Sequence, residues 1–95
     1  MKNALTRTLQ ALSDPTRREI LKLLQDGDKS AGDLVAHFDM SAPSVSHHLN
    51  KLKNAELVLA ERNGQQIMYS LNATVVQEFL QEMLHLFQIG ENDDA

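Results

Sequence analysis

The chain has 95 residues, enough for one domain with a modest core, and it contains no cysteine, which excludes disulfides, thiolate metal sites and thiol redox sensing. Its net charge of −4 is uneven: residues 1–71 hold nine basic residues and eight acids (+1), whereas residues 72–95 hold five acids and no Lys or Arg (−5). No apolar run is long enough to span a bilayer. We therefore expect a single cytoplasmic domain, residues 1–95, whose middle part can face an anionic partner.

The N-terminal part of the chain has the periodicity of two helices. Leu5, Leu9 and Leu12 recur at i, i+4 and i+7 and predict a first helix. Asp14 followed by Pro15 predicts the start of a second helix, because Asp caps a helix N-terminus well and Pro fits the first helical position.

A helix-turn-helix is predicted next. Gly27 can take the left-handed conformation that ends the second helix, and Ser30 caps a short third helix. After a tight turn, Ser41 caps a fourth helix that runs to Asn54. Two helices joined by a short turn form a helix-turn-helix, which we place at residues 30–54.

The fourth helix has two different faces. Val45, Leu49 and Leu52 form an apolar stripe that can be buried. The opposite face carries hydroxyl, His, Asn and Lys side chains and no acid, which suits a surface that meets phosphates and base edges. This helix is therefore the candidate recognition helix, and its predicted DNA contacts are Ser41, Pro43, Ser44, Ser46, His47, His48, Asn50 and Lys51.

The two adjacent histidines of this helix point about 100° apart. His47 lies opposite the apolar stripe, and we expect it to contact DNA. His48 lies at the edge of the stripe, where a structural role and a phosphate contact are both open. Adjacent histidines do not easily share one metal ion, since metal-binding pairs favour i, i+4 spacing.

A β-hairpin is predicted after the recognition helix. Residues 57–62 and 65–71 have strand character and flank Asn63-Gly64. Asn-Gly is typical of a type I′ hairpin turn, in which both central residues have positive φ. We assign residues 57–71 to a wing. Three further DNA contacts are predicted outside the recognition helix: Arg17 in the second helix, and Arg62 and Gln65 in the wing.

The last helix begins at the cap Asn72 and has an apolar arc too wide for its own domain to cover. An exposed patch of that size favours a partner helix, and packing on both sides within one subunit is the alternative. We therefore assign residues 1–12 and 72–87 to dimerisation, and we expect residues 90–95 to form a frayed acidic tail. The predicted interface residues are Leu5, Leu9, Val76, Phe79, Leu80, Met83 and Phe87.

Two motifs resemble those of a known family. Residues 11–21 (ALSDPTRREIL) resemble the opening signature of the ArsR-type winged-helix repressors, and residues 44–58 (SVSHHLNKLKNAELV) resemble their recognition-helix signature. Residues 62–64 and 69–71 are similar to the wing and its exit. The resemblance covers residues 4–87, and the lack of cysteine is similar to the SdpR-type autorepressors within the family.

The resemblance implies a mainly α (α+β) fold, a winged helix-turn-helix with about five helices and a two-stranded β-hairpin wing. It also implies a homodimeric transcriptional repressor that binds double-stranded DNA at an inverted repeat in its own promoter region. Neither a cofactor nor a small-molecule substrate is implied. For the SdpR type, the expected effector is a protein at a membrane.

The resemblance also bears on metal binding. The founding metal sensors of the family hold cysteines in the third helix, where residues 29–34 of this chain offer no thiolate. Other members bind zinc between their last helices through Asp and His, whereas this helix offers Glu78, Glu82 and His85, too few for a four-ligand site in one subunit. We therefore predict no metal, with a site of His85 and Glu82 shared between two subunits as the alternative.

Two other classes of function are weighed. A winged-helix module that binds protein instead of DNA would have a recognition face without cations, yet Lys51 and Lys53 are present. No nucleophile with a base and an orienting group, no pair of catalytic carboxylates and no phosphate-binding loop appears in the sequence. We therefore predict that the chain is not an enzyme.

Overall fold

The computed structural model describes residues 3–88, so the predicted acidic tail lies outside the described residues. The described part of the chain forms five helices and three strands, which confirms the predicted mainly helical fold with a hairpin. In chain order these elements are α1 (Ala4–Ala11), α2 (Pro15–Leu24), β1 (Lys29–Ser30), α3 (Ala31–His37), α4 (Ala42–Asn54), β2 (Val58–Asn63), β3 (Gln66–Leu71) and α5 (Ala73–Phe87).

Each of these helices begins at a polar residue whose side chain accepts a hydrogen bond from a main-chain N–H two or three residues further on. Such a cap satisfies one of the N–H groups that the first turn of a helix leaves without a partner. The predicted helix starts are therefore confirmed, and the structure adds a cap for α1. The five caps are Asn3, Asp14, Ser30, Ser41 and Asn72.

The sheet has three antiparallel strands in the order β1-β3-β2, in which β2 and β3 form the predicted two-stranded wing and β1 is an additional strand. The added strand, β1, pairs Lys29 with Tyr69 and Ser30 with Met68. Two residues are too few to show the alternation by which a strand is recognised in a sequence. Ser30 is the last residue of β1, and its side chain also caps the N-terminus of α3.

The hairpin turn also differs from the prediction. Asn63 pairs with Gln66, so the two central residues of the turn are Gly64 and Gln65 rather than Asn63 and Gly64. Of the two, only Gly64 has a positive φ, of 69°. One positive φ at the first central position fits a type II′ turn, and the predicted type I′ turn is wrong.

The core is formed by apolar side chains from α2, α3, α4 and the root of β2. The predicted stripe Val45, Leu49 and Leu52 is fully buried there, which fixes α4 with its polar face outward. Burying each such side chain stabilises the fold by about 1.5–3 kcal/mol. Together with the stripe, the largest fully buried side chains are Ile20, Leu34, Leu57 and Val58.

Helix α5 lies at the edge of this core, against which its Val75 and Val76 pack while remaining partly exposed. It packs against α1, and none of its residues is buried, although it is the most apolar helix of the described chain. Leu80 is 52% exposed and Phe87 is 63% exposed. The alternative in which α5 packs on both sides within one subunit therefore does not hold.

Candidate nucleic-acid interface

The outer face of α4 is the candidate reading surface. Ser41 holds the start of the helix, since its Oγ accepts from the Ser44 N–H (3.2 Å) and donates to the Ser44 hydroxyl (3.0 Å). The buried stripe on the other side leaves this face exposed and without a carboxylate. The structure thus brings most of the predicted α4 contacts together: Ser41, Pro43, Ser44, Ser46, His47, Asn50 and Lys51.

His47 is a residue of this face that is free to contact a base edge. Its ring lies edge-on to the His48 ring, with centroids 5.9 Å apart. Within residues 3–88 it makes no side-chain hydrogen bond, so both ring nitrogens can bind a partner. A histidine can both donate and accept hydrogen bonds, which suits the mixed pattern of the major groove.

Arg17 does not lie on this exposed face of α4. It is only 8% exposed, and its Nε and Nη2 donate to the main-chain oxygens of Ala11 (2.7 Å) and Gln10 (3.2 Å). Its Nη1 lies 3.1 Å from Nδ1 of His48 on α4. The guanidinium therefore joins the C-terminal end of α1 to the recognition helix.

His48 is held on its inner side by two groups of α2. Besides Arg17, the Asp14 carboxylate lies 3.8 Å from its Nδ1. Since Arg17 only donates, a neutral His48 accepts this hydrogen bond at Nδ1 and carries its proton on Nε2. Of the two roles left open by the sequence, this placement supports the structural one.

The Asp14 carboxylate has a pKa below its ordinary value of 3.8. Partial burial alone would raise the pKa, but the hydrogen bond from the Arg17 N–H (3.1 Å), together with positive charge near the carboxylate, outweighs this effect. The ionised form therefore predominates near neutral pH.

The wing supplies a second contact zone. Arg62 and Gln65 are exposed at its tip, where Arg62 Nη1 donates to the Gly64 oxygen (3.3 Å). The tip lies five residues along β2 from the root of the strand against α4. At about 3.3 Å per residue, this distance is about 17 Å between Val58 and Asn63. The two zones are thus separate, and they widen the surface that can meet DNA.

The predicted dimerisation residues lie together on α1 and α5. Leu5, Val76, Phe79 and Met83 are half-buried, and the remainder of the set is exposed. Sequence reasoning left Leu84 and Leu86 out of the interface, although both are exposed apolar side chains of α5. The exposed members of the predicted set are Leu9, Leu80 and Phe87.

The described residues contain no group of three or more His, Cys, Asp or Glu side chains arranged to hold a metal ion. His85 and Glu82, named in the alternative metal site, both line a groove beside Leu5. No helix within residues 3–88 combines the length and the apolar character that crossing a membrane requires.

The sequence profile described as "Bacterial regulatory protein, arsR family" matches residues 14–59. The transcriptional repressor SdpR of Bacillus subtilis (strain 168) is 55% identical over 84 residues, which are 88% of this chain and 93% of that protein. The chain belongs to the ArsR family.

Other relatives agree with this assignment. The arsenical resistance operon repressor of Staphylococcus aureus is 39% identical over 79 residues, which cover 83% of this chain and 76% of that one. The solved structure of an ArsR-like transcriptional regulator from Rhodococcus sp. RHA1 has a TM-score of 0.81 at 29% identity, covering 90% of this chain and 80% of that one. The chain is therefore a DNA-binding transcriptional repressor with the winged helix-turn-helix fold, and not an enzyme.

Proposed function

We propose that the chain works as a homodimer that binds an inverted-repeat operator and represses transcription by covering a promoter. The observation that carries this proposal is the outer face of α4, which is exposed, polar and free of carboxylates although the whole chain has a net charge of −4. A face of this composition can approach phosphates closely enough to read base edges.

The contacts divide between base edges and phosphates. His47, Asn50 and Ser46 read base edges in the major groove, where donors and acceptors differ between base pairs. Lys51 on α4 and Arg62 at the wing tip contact phosphates, which gives a salt-dependent affinity. Arg17 and His48 act indirectly, by holding α4 in place. The remaining proposed contacts, around the start of α4 and at the wing tip, are Ser41, Pro43, Ser44 and Gln65.

The homodimer forms through α1 and α5. The exposed apolar residues of α5 require a cover, and a second copy of the same helix offers an equal surface. A two-fold axis through these helices places two copies of α4 about 34 Å apart, one turn of DNA. An inverted repeat matches such symmetry.

The regulation follows the similarity to SdpR. We propose that the operator lies in the promoter region of the chain's own gene and that the repressor works in the cytoplasm. The chain has no cysteine with which to sense thiophilic metals, and the proposed effector is a protein at a membrane.

The test is the substitution His47→Ala, with His37→Ala as its control. The ring of His37 lies 3.2 Å from a Glu19 oxygen on its own subunit, so its loss leaves the α4 face intact. We expect His47→Ala to weaken operator binding by about 1–3 kcal/mol while binding to unrelated DNA stays the same. Binding is measured by fluorescence anisotropy on footprinted operator and on scrambled DNA. An equal loss on both DNAs would show a phosphate contact and contradict the assignment.

A further inference from the structure

A pocket of about 190 Å³ lies between α1, α2 and α4, away from the buried stripe. It is smaller than the pockets of about 300–1,000 Å³ that hold drug-sized ligands, and larger than the share of one water, about 30 Å³. The size therefore suits a small ion or a single chemical group. The lining residues are Arg7, Gln10, Ala11, Arg17, Lys51, Asn54 and Ala55.

The charges of this pocket have one sign. Arg7 of α1, Arg17 of α2 and Lys51 of α4 line it, and no carboxylate does. This is unusual for a chain with thirteen acidic residues and nine Lys or Arg. Within the described part of the chain, neither Arg7 nor Lys51 forms an ion pair. Three cations around one space repel one another unless an anion joins them.

Two helix ends act against an anion at this place. Helices α1 and α4 end beside the pocket, and each C-terminus carries about half a negative charge. The two ends together offset about one of the three positive charges, and the Asp14 carboxylate near Arg17 offsets part of another, so the pocket keeps a net charge of about +1 to +2. Arg17 already donates to the last carbonyls of α1, so these oxygens are satisfied within the protein.

The donors of the pocket favour a particular anion. The planar guanidinium of Arg7 matches the oxygens of phosphate with two parallel hydrogen bonds, and the ammonium of Lys51 adds a mobile point charge. The amide side chains of Gln10 and Asn54 add further donors. No apolar side chain larger than alanine lines the space, so it offers little to an aromatic or aliphatic ligand.

We propose that this pocket binds a phosphate group, supplied either by the operator backbone or by a small phosphorylated molecule. An anion bound there joins Arg7 on a proposed dimerisation helix to Lys51 on the recognition helix. Occupancy of the pocket thereby fixes the position of α4 relative to α1. The arm of the test that uses free phosphate does not depend on the proposed function, whereas the arm that uses DNA does.

The first arm titrates inorganic phosphate into the full chain at constant ionic strength, with chloride as the reference anion, and follows backbone amide NMR shifts. The variants are Arg7→Gln and Lys51→Gln, because Arg17 is needed for the fold. The control is Lys53→Gln, which removes the same charge from α4 at an exposed position outside the lining. We expect phosphate to shift the amides of residues 7–11 and 51–55, and each pocket variant to lose about tenfold in affinity.

The second arm measures operator affinity against salt concentration. If the operator supplies the phosphate, Arg7→Gln reduces the slope of log K against log[salt] by about one, and free phosphate binds weakly or not at all. A loss of free-phosphate binding in Arg7→Gln, with Lys53→Gln unchanged, supports the small-molecule source. The proposal is overturned if Arg7→Gln changes neither the affinity for free phosphate nor the salt dependence of operator binding. If the wild-type chain binds no DNA, the proposed function fails and the phosphate titration alone decides.

Discussion

Arg17 shows how one buried side chain can connect two elements with different tasks. Its hydrogen bonds reach the last carbonyls of α1 and, 31 residues further along the chain, His48 of α4. A buried charge is costly unless it is hydrogen-bonded, and each nitrogen of this guanidinium has a hydrogen-bond partner. The Ala11 carbonyl in turn depends on Arg17, since the last turn of a helix leaves its acceptors without partners in the helix.

We predict that Arg17→Leu destabilises the fold by about 2–3 kcal/mol, because the Ala11 oxygen is left without its donor and His48 loses its hydrogen-bond partner. The matched control is Arg18→Leu. Arg18 also donates to a main-chain oxygen, that of Leu12 (2.7 Å), but it does so at an exposed position where water can replace it. We expect a change within about 0.5 kcal/mol for the control. Urea denaturation followed by circular dichroism measures both, and equal losses would contradict the structural role of Arg17.

Asp14 gives the fold a dependence on acid pH. Its folded-state pKa lies below 3.8, so its contribution to stability is complete above that pH and is lost as pH falls through the lower folded value. Asp14→Asn keeps an N-cap of equal quality and removes the titration. We expect the free energy of unfolding of this variant to fall less steeply with pH below about 4.

The control for this comparison is Asp39→Asn, which removes an exposed carboxylate that takes part in no ion pair of the described residues. Its pH profile should follow that of the wild type. The measurement is urea denaturation at pH steps between neutral and acid. If Asp14→Asn and the wild type had the same dependence of stability on pH, the ionised Asp14 carboxylate would not stabilise the fold.

The sequence predicts side-chain contacts between residues close together in the chain and misses those between residues far apart in the chain. The caps at Asp14, Ser30 and Ser41 act on N–H groups three residues away, and residue type alone indicates them. The contact between Arg17 and His48 depends on how α2 packs against α4. No local pattern encodes that packing, so the sequence does not show that Arg17 joins α1 to α4.

Among the elements, the helices are predicted well and the sheet only in part. An amphipathic helix such as α4 repeats its pattern over several turns, which makes its buried stripe visible in the sequence. The strand β1 has two residues, and its pairing with β3 is a tertiary contact. The turn is displaced by one residue because register depends on pairing along both strands as well as on the Asn-Gly signal.

Replacing two glycines by alanine tests the backbone of these elements, because one substitution should destabilise the fold and the other should stabilise it. Gly64→Ala places a Cβ at φ 69°, which costs about 1 kcal/mol although the space is open. Gly32→Ala lies within α3, where a Cβ would be 3.8 Å from Ser30 Oγ, an ordinary contact. We expect it to stabilise the fold by about 0.5–1 kcal/mol. Thermal denaturation compares the two, and a stabilising Gly64→Ala would contradict the turn geometry.

In the whole molecule, polar and apolar surfaces are separated. The α4 face has no carboxylate, whereas α5 carries Glu78 and Glu82 together with exposed leucines. Sequence patterning predicts both surfaces, because each lies on one helix. It does not predict the cationic pocket, since Arg7 and Lys51 are far apart in the chain and only the packing of α1 near α4 brings them together. Surfaces within one element are thus readable from sequence, and surfaces shared between elements are not.

The proposed dimer is tested by placing a charge on α5. Leu80→Glu puts a carboxylate into the apolar surface that a second copy would cover, and burial of an unpaired charge prevents association. Because no α5 residue is buried in the subunit, the monomer should keep its helical circular dichroism spectrum. Gln77→Glu, an exposed polar position on the same helix, adds the same charge as the control.

We expect Leu80→Glu to be a monomer of 10.6 kDa at micromolar concentration and Gln77→Glu to have twice that mass, measured by sedimentation equilibrium. The monomeric variant Leu80→Glu should bind the operator more weakly than the dimeric control Gln77→Glu. Two linked recognition helices gain about 10²–10⁴-fold over one, because the second contact becomes intramolecular, and the monomer loses this gain. A variant that becomes monomeric and still binds the full operator with wild-type affinity would show that one subunit is sufficient for operator binding. A dimer that survives Leu80→Glu would place the interface on another surface.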